Sequence, residues 1–319
     1  MPAVISHYVL ADRVYNAIKR EYPTVSVDRN IMLWGAAGPD LFFAHRIMPW
    51  QKQQSLSRIS HIMHDGHAER LLNFLADYSR ANESDAAFSY AFGFVTHYAF
   101  DSIAHPFIVG YAEMMAEGRV FSPFLLDRAH EQLAAGIRLS SVYHNQIEGF
   151  LDTLLLMKDK HIPIGNFHMQ DSCPDDIHAY KVVSEMLATY LDYSYIYPEI
   201  DPAEVERAMK DWRRCLVLLN DRFALKRSFL RGAERLLHMP PFVSVFMRNI
   251  DIDTSDDPAN LAHRKWVSQA DGSIHTESFF ELTDMAEEKS LQLISRLADG
   301  QRLTKDDCSA SFSGRPLKG

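Results

Sequence analysis

The sequence is poor in cysteine and lacks the signals of secretion and of membrane insertion. Its three cysteines, Cys173, Cys215 and Cys308, are odd in number and far apart, which argues against both a disulfide framework and a cysteine zinc site. The first residues, Met1 to His7, contain no basic segment followed by an apolar core, so they do not resemble a signal peptide. No apolar run approaches the roughly 18 residues needed to span a bilayer. We therefore expect a cytoplasmic protein with no transmembrane segment.

Positive charge is also scarce. Lysine and arginine number 33 against 42 aspartate and glutamate residues, and the formal net charge is −9. Such a chain lacks the basic surface with which proteins bind duplex nucleic acid. A phosphate-bearing substrate is still compatible with this charge, because bound metal ions would reverse its local sign.

Helical periodicity dominates the chain, and strand signals are few. The pattern predicts an all-α fold with helices at about 6–21, 56–79, 84–105, 123–137, 138–158, 174–194, 202–221, 222–237 and 276–298. Pro106 should end or kink the helix at 84–105. Residues 249–275 are polar and are predicted to form a long connection.

The composition gives no reason to divide the chain. It contains no glycine-rich linker, no low-complexity tract and no repeat, so we predict one helical domain over residues 1–300. From Asp299 onward charged residues, serine, glycine and proline accumulate. We expect residues 301–319 to form a disordered tail.

Histidine is the informative excess: the chain has fifteen, of which nine lie in the first 144 residues. Residues four apart on a helix project from the same face, so His97, Asp101 and His105 form one stripe on an otherwise apolar helix. Three ionisable groups on a buried helix need partners, and imidazole and carboxylate at this spacing are suitable ligands for divalent metal ions. The stripe therefore predicts a metal site.

A second pair of histidine and carboxylate lies further along the chain. His144 and Glu148 are four residues apart on an amphipathic segment, and Asp152 follows one turn later. The pair predicts further metal ligands. We interpret Asp152 as a solvated or supporting acid rather than as a ligand.

Three other segments offer candidates. His61, His64 and His67 are spaced by three residues, and all three cannot point to one spot, so at most two are ligands. His7 lies near the start of the first helix. Asp40 follows a turn that contains glycine and proline, which would hold its carboxylate rigidly in an apolar neighbourhood.

The strongest segment resembles a known family. Residues 91–106, AFGFVTHYAFDSIAHP, contain a small, apolar lead-in, a His-Tyr pair, an aspartate four residues after the histidine, and a His-Pro pair. With the upstream Gly-x-x-Gly-Pro-Asp turn and the downstream His-x-x-x-Glu helix, this string resembles the zinc-dependent phospholipase C family over about residues 1–155. The resemblance implies an all-α phospholipase C/nuclease-like bundle. The metal-site core would be residues 1–158, and residues 159–300 would be a C-terminal helical extension.

The resemblance also implies two or three zinc ions in a cleft. The implied ligands of the first ion are Asp40, one of His61 or His64, His97 and Asp101, with His61 as a possible additional ligand. Those of the second are His105, His144 and Glu148. Those of the third are His7 and Asp101, so that Asp101 bridges two ions. The family helix favours His64 over His61 as the ligand from its segment.

A metal-dependent phosphoric ester hydrolase follows from the same resemblance. Zinc would bind phosphate oxygens and lower the pKa of a bridging water from 15.7 to about 7, and the resulting hydroxide would attack phosphorus in line. Asp40 is the candidate base or water-orienting group. The substrate would be a phospholipid or another phosphate ester, and the head group and the oligomeric state are left open.

Three other functions fit the same residues. A 3′-nucleotidase or single-strand nuclease shares this metal cluster and fold, and a fold does not decide the substrate. An HD-type metal phosphohydrolase would use the His64-Asp65 dipeptide, and substitutions of His64 and of Asp65 would then be equally damaging. A non-catalytic helical protein stabilised by metal would melt at a lower temperature without metal but would cleave no ester.

Overall fold

The computed structural model describes residues 3–48, 50–51, 53–117, 139–237, 244–247, 257–268 and 270–315. Most of these residues are helical, and the all-α fold that the sequence predicts is confirmed. The helices are α1 (Val4–Glu21), α2 (Arg29–Ala36), α3 (Ser57–Asp65), α4 (Ala68–Ala81), α5 (Asp85–Ala116), α6 (Leu139–Lys160), α7 (Ile177–Tyr193), α8 (Pro202–Leu219), α9 (Leu225–Leu236) and α10 (Phe279–Ala298). Short 3-10 helices lie at Gly38–Ala44, Ile164–Asn166, Met169–Ser172 and Ser244–Phe246. The predicted helix at 123–137 lies outside the described residues.

Several helix ends carry side-chain caps. The Ser84 side chain accepts a hydrogen bond from the third residue of α5, and the Asp201 side chain does the same for Ala203 in the first turn of α8. Ser278 and Glu281 form a reciprocal capping box at the start of α10. Each cap satisfies main-chain N–H groups that have no partner within the helix.

The single helix predicted at 56–79 is two helices in the structure. The break is at Gly66, whose backbone is extended with φ −80° and ψ 174°. Glycine is a poor helix former, and His67 then serves as the N-cap residue of α4. The segment with three histidines therefore changes direction before its last member.

The sequence predicts that Pro106 ends or kinks its helix. Helix α5 does not end there but continues for ten more residues to Ala116. Proline removes one helical hydrogen bond and crowds the preceding turn. Beyond it, Phe107, Ile108 and Tyr111 are buried in the core, and this burial offsets the local cost. The stripe from His97 to His105 thus lies in the interior of a long buried helix.

Helices α2 and α5 cross with their backbones in direct contact at two glycines. A Cβ atom on Gly35 would lie 2.1 Å from the carbonyl oxygen of Tyr90, and one on Gly93 would lie 1.9 Å from that of Met32. Any larger residue would separate the two helices. The close crossing brings the carbonyl of Ala36, at the end of α2, beside α5.

Residues 301–315 pack against the helices, which corrects the predicted disordered tail. Leu303, Cys308 and Phe312 are buried. The main chain of Leu303 both donates to and accepts from the amide side chain of Asn73. The buried apolar residues are too widely spaced to give a helix or strand period, so the sequence pattern did not reveal this segment. Residues 316–319 lie outside the described residues.

The predicted connection at 249–275 contains a small hairpin in its described part. Strands β1 (Trp266–Val267) and β2 (Ile274–His275) pair antiparallel, with Trp266 opposite His275. The buried Trp266 ring lies 5.3 Å from the ring of Phe107, between centroids. The hairpin therefore packs on α5 just beyond Pro106.

Buried apolar residues from α1 to α8 and from α10 belong to one continuous core. This continuity supports the prediction of one helical domain, which remains a prediction. Among the described residues, no helix combines the length and the apolar character needed to cross a membrane.

Candidate metal centre

A cavity of about 250 Å³ opens between helices α1, α3, α5 and α6 and the 3-10 helix Gly38–Ala44. Seven of the eight ligands implied by the sequence line it: His7, Asp40, His64, Asp101, His105, His144 and Glu148. The eighth, His97, is fully buried and lies against Asp101. The structure therefore brings together side chains that are up to 141 residues apart in sequence, from His7 to Glu148.

Asp101 lies at the centre of this cluster. Its Oδ1 is 3.2 Å from Nε2 of His7. Its Oδ2 is 3.2 Å from Nε2 of His97 and 3.6 Å from Nε2 of His64. His105 approaches the same oxygen, with its Nδ1 at 3.8 Å. One buried carboxylate thus faces imidazoles from three different helices.

Two further carboxylates complete the cluster. Asp40 Oδ1 lies 3.3 Å from Nε2 of His64. Glu148 Oε1 lies 3.1 Å from Nε2 of His144 and 3.4 Å from Nε2 of His105. Each carboxylate therefore shares its neighbourhood with at least one imidazole nitrogen.

The cluster contains three groups of residues, and within each group the ligand atoms all lie within 4.8 Å of one another. The groups are His7, His97 and Asp101; Asp40, His64 and His97; and His105, His144 and Glu148. They overlap closely with the three sets that the sequence resemblance implies. They differ in the shared residue: His97 belongs to both of the first two groups, whereas Asp101, which the resemblance implies as the bridge, belongs only to the group of His7.

Main-chain carbonyls orient three of the imidazoles. The Nδ1 atom of His97 lies 2.9 Å from the carbonyl oxygen of Ala36, and that of His64 lies 2.8 Å from Ser60. His105 Nδ1 is 3.3 Å from the carbonyl of Phe312. An Nδ1–H that donates to a carbonyl leaves the lone pair on Nε2. These lone pairs face carboxylates, which is unfavourable unless a proton or a metal ion lies between them.

Three buried atoms of the cluster have no hydrogen-bond partner among the described residues, namely Nδ1 of His7, Nε2 of His97 and Oε2 of Glu148. Buried polar atoms are almost always hydrogen-bonded, so each exception needs an explanation. Imidazole nitrogens and carboxylate oxygens are the ligand types that zinc binds at catalytic sites. The residues present therefore fit zinc.

The pKa values at the Asp40 end show how charge is balanced without a metal. Burial raises the pKa of Asp40, but the hydrogen bond and the charge of His64 outweigh it and lower the pKa to about 2. Burial lowers the pKa of His64, but Asp101 and Asp40 raise it to about 10. Burial also lowers the pKa of His97, which favours its neutral form. A proton on His64 would thus offset the negative charge of Asp40 and Asp101.

The Glu148 end shows the same balance. Burial lowers the pKa of His105, but Asp101 and Glu148 raise it to about 9. Burial raises the pKa of Glu148, yet His144 and His105 hold it well below its usual range. Asp101 is likewise held far below its usual pKa by the surrounding imidazoles, against the effect of burial. The carboxylates are therefore anionic, and cations are required around them.

The backbone conformation and the surroundings of Gly38 require glycine in the turn before Asp40. Its φ is +53°, in the left-handed region that favours glycine. A Cβ atom on Gly38 would also lie 2.4 Å from Cγ of the His97 ring. The 3-10 helix can therefore approach the imidazole only if this residue has no side chain.

The remaining candidates lie outside the three groups. His61 is exposed at the cavity rim, and its ring centroid lies 5.0 Å from that of Phe43. Asp65 is also exposed at the rim. Asp152 is buried behind the cavity, and its carboxylate bonds to the first turn of α1, so it is a supporting acid but not a solvated one. The HD-type alternative, which needs Asp65 as a ligand, has no support among the described residues.

Sequence reasoning missed the contribution of the C-terminal segment. The Phe312 ring lies 5.8 Å from His64 and 5.9 Å from His97, between centroids. The carbonyl oxygen of Phe312 is a hydrogen-bond partner of Nδ1 of His105, and Ser313 lines the cavity. The only signal was an isolated phenylalanine in a polar stretch, which no periodicity supports.

Comparison with known proteins agrees with the geometry. The family described as zinc dependent phospholipase C matches residues 6–195, which is more than half of the chain. The chain belongs to the zinc-dependent phospholipase C family. This confirms the resemblance read from the sequence. No curated protein and no solved structure matches the chain.

The phospholipase C match includes all eight candidate ligands, from His7 to Glu148, and the three groups of ligand atoms. Membership of a zinc-dependent phospholipase C family indicates zinc dependence and supports phosphodiesterase-type hydrolysis. Helices α8 to α10 and the C-terminal segment lie beyond the matched residues.

Proposed function

We propose that this chain is a phospholipase C-type phosphodiesterase that uses two or three zinc ions to hydrolyse the phosphodiester bond of a phospholipid. The observation that carries the proposal is the set of three ligand groups around one cavity, within the residues that match the family. Hydrolysis on the glycerol side of phosphorus would release a diacylglycerol and a phosphorylated head group.

The proposed ligands follow the three groups. The first ion would be held by Asp40, His64, His97 and Asp101. The second would be held by His105, His144 and Glu148. A third would be held by His7 with Asp101, whose two oxygens face different imidazoles. When bound, zinc supplies a water of lowered pKa and positive charge that offsets the charge of the phosphate oxygens.

The sequence leaves two roles open for Asp40, a base or a group that orients water, and its pKa favours the second. Because the pKa of Asp40 is lowered to about 2, its carboxylate is a weak base near neutral pH and a good hydrogen-bond acceptor. It lines the cavity directly. We therefore assign Asp40 to orienting the attacking water through its carboxylate, rather than to removing a proton outright.

Five polar or aromatic side chains besides the proposed ligands line the cavity and would meet the substrate. His61 and Asp65 are exposed at the rim, and Asn145 and Ser313 add neutral polar groups. Phe43 adds an apolar ring, which stacks on His64 with centroids 6.0 Å apart. The cavity therefore offers polar groups for a phosphate and head group together with one apolar wall.

The first test is metal content and metal dependence. Elemental analysis of the purified chain should find two or three zinc ions, and anomalous scattering should place them among the three groups. Asp101→Asn removes a carboxylate that faces two of the proposed sites, so it should lower the zinc content and abolish hydrolysis of phosphatidylcholine. Fewer than two ions per wild-type chain would contradict the proposal.

The second test separates the alternatives. Phosphatidylcholine and a 3′-nucleotide are assayed with and without chelator. We expect only the phospholipid to be hydrolysed, the activity to be lost with chelator, and zinc to restore it. Cleavage of the nucleotide alone would favour the 3′-nucleotidase. Absence of any cleavage, together with a lower melting temperature after chelation, would favour the non-catalytic protein.

A further inference from the structure

Helix α9 exposes apolar side chains on its outer face, while its inner side carries a buried acid beside the partly buried Leu230. Leu225 and Phe229 are 69% and 76% exposed, and Leu236, also exposed, lies on the same face. On the opposite face Glu234 is only 7% exposed, and it accepts a hydrogen bond from the main-chain nitrogen of Ser244 at 3.0 Å. A helix on the surface of a globular protein normally has the reverse arrangement.

The segment that contains α9 is strongly basic, although the chain as a whole is acidic. Residues 217–236 contain two acids, Asp221 and the buried Glu234, and five basic residues: Arg222, Lys226, Arg227, Arg231 and Arg235. Lys226 donates to the main-chain carbonyls of Leu218 and Asn220, at 3.2 Å and 2.7 Å. This local excess of positive charge therefore lies beside the exposed apolar face.

Exposed apolar side chains are also found at the end of α8. The side chain of Leu218 lines a cavity of about 630 Å³ together with Val217 and the exposed Trp50. Lys210, Arg213 and Arg214 also line this cavity, but so do Asp175 and Asp211, which pair with Arg213 and Arg214. Only the exposed apolar character therefore extends to this cavity. Between the two helices, Phe223 is exposed as well. We call the surface formed by residues 217–236 the α9 surface.

We propose that the α9 surface docks on a bilayer that contains anionic lipid. Helices that lie in the membrane interface bury an apolar face at the boundary of the acyl chains and hold basic residues among the head groups. Each basic residue near an anionic leaflet adds to the attraction. The inference goes beyond the proposed function, because lipid docking requires neither a metal ion nor catalysis.

A second copy of the chain fits this surface less well. Two copies meeting face to face would bring two basic segments together, and like charges repel. The exposed face of helix α9 itself is also small: a helix of 12 residues is about 18 Å long and about 10 Å wide, so this face covers about 200 Å². Stable protein interfaces bury about 800 Å² on each partner.

The experiment is sedimentation of the full chain with vesicles of phosphatidylcholine, either alone or with one third phosphatidylglycerol. The test variant is Leu225→Ser/Phe229→Ser, and the matched control is Ile274→Ser, which changes an equally exposed apolar residue on β2. All three side chains are exposed, so the variants should fold, as circular dichroism would check. A second variant, Arg222→Glu/Lys226→Glu, tests the charge.

We expect wild type and Ile274→Ser to bind the anionic vesicles at least about tenfold more tightly than the neutral ones. The apolar double variant should bind at least about tenfold more weakly to the anionic vesicles. The charge variant should lose the preference for phosphatidylglycerol.

Equal binding of wild type and the apolar double variant would overturn the inference. So would a dimer, seen by light scattering, that the double variant dissociates, because the α9 surface would then join two copies. Hydrolysis of a soluble short-chain phospholipid is a separate readout. Vesicle binding without any hydrolysis would contradict the proposed function alone, whereas hydrolysis without vesicle binding would contradict this inference alone.

Discussion

Ser6 on α1 makes two hydrogen bonds to Asp152 on α6. Its main-chain nitrogen lies 2.8 Å, and its hydroxyl oxygen 2.6 Å, from Oδ1 of the carboxylate. The N-cap residue of α1, Ala3, has no side chain able to cap the helix, so Asp152 supplies the cap from another helix. Because His7 is the next residue, this contact fixes the turn that points its Nε2 at Asp101.

The first prediction concerns Asp152. Asp152→Ala leaves buried donors of α1 without an acceptor, so we expect the free energy of unfolding to fall by about 1–3 kcal/mol. Zinc should also be held about 10- to 100-fold more weakly at the site that includes His7. Urea denaturation and zinc titration measure the two effects. Asp171→Ala, at an exposed acid, should change neither, and a stable Asp152→Ala with full zinc content would contradict the prediction.

The second prediction concerns Gly38. Gly38→Ala places a Cβ atom 2.4 Å from the His97 ring at a φ of +53°. The left-handed conformation alone costs roughly 1–2 kcal/mol for a residue with a side chain, and the imidazole must also move. We expect lower stability and loss of zinc from the group of Asp40, His64 and His97, measured by thermal unfolding and elemental analysis.

Gly232→Ala is the matched control for Gly38→Ala. Gly232 is within α9, and a Cβ atom there would meet nothing within 4 Å. The substitution should leave zinc content unchanged and stabilise the helix by up to about 1 kcal/mol. If both alanine variants behaved alike, the close approach of Gly38 to His97 would not matter.

The third prediction separates His64 from its neighbours. The Nε2 atom of His64 faces Asp40 and Asp101, whereas His61 and Asp65 are exposed at the rim. His64→Ala should lower hydrolysis of phosphatidylcholine at least about a hundredfold, since it removes a proposed ligand. Asp65→Ala and His61→Ala should retain zinc and most of the activity. An Asp65→Ala variant as damaged as His64→Ala would instead favour the HD-type mechanism.

How far the site could be predicted from the sequence depends on what positions each residue. His97, Asp101 and His105 were predictable because helix geometry alone places them on one face. The contact of His97 with the carbonyl of Ala36, which orients its ring, could not be predicted, because a main-chain acceptor has no signature in the sequence. Phe312 was missed for a related reason: its burial depends on contacts with distant helices and not on a local pattern.

The fold shows the same division. Periodicity predicted most helices, because their apolar faces repeat along the chain. It failed at Gly66 and at Pro106, where one residue with an unusual backbone preference decides the local structure. At Gly66 the low helix propensity of glycine agrees with the break. At Pro106 burial of the following turns outweighs the preference of proline to end a helix.

The fourth prediction concerns pH and His45, which lies outside the metal centre. Its ring is fully buried, and its Nδ1 accepts a hydrogen bond from the main-chain nitrogen of Leu56 at 2.9 Å. The ring proton is therefore on Nε2, which lies 3.2 Å from Oε2 of Glu204. Burial lowers the pKa of His45, and the charge of Arg46 adds to this effect. A second proton would have to enter at Nδ1, where it would face an N–H group.

The sign of the pH dependence follows from this lowered pKa. In the unfolded chain a histidine takes up a proton below a pH of about 6.5, while folded His45 does not. Its contribution to stability is therefore present above that pH and is lost as the pH falls toward the lowered pKa of the folded state.

His45→Gln should accordingly show a shallower loss of unfolding free energy between about pH 7 and pH 5, by at most about 1.4 kcal/mol per pH unit. The measurement is urea denaturation at several pH values, with the exposed His178→Gln as a control that should keep the slope of wild type. Equal slopes for wild type and His45→Gln would show that His45 takes up its proton as readily in the folded chain as in the unfolded one, which the bond from Leu56 should prevent.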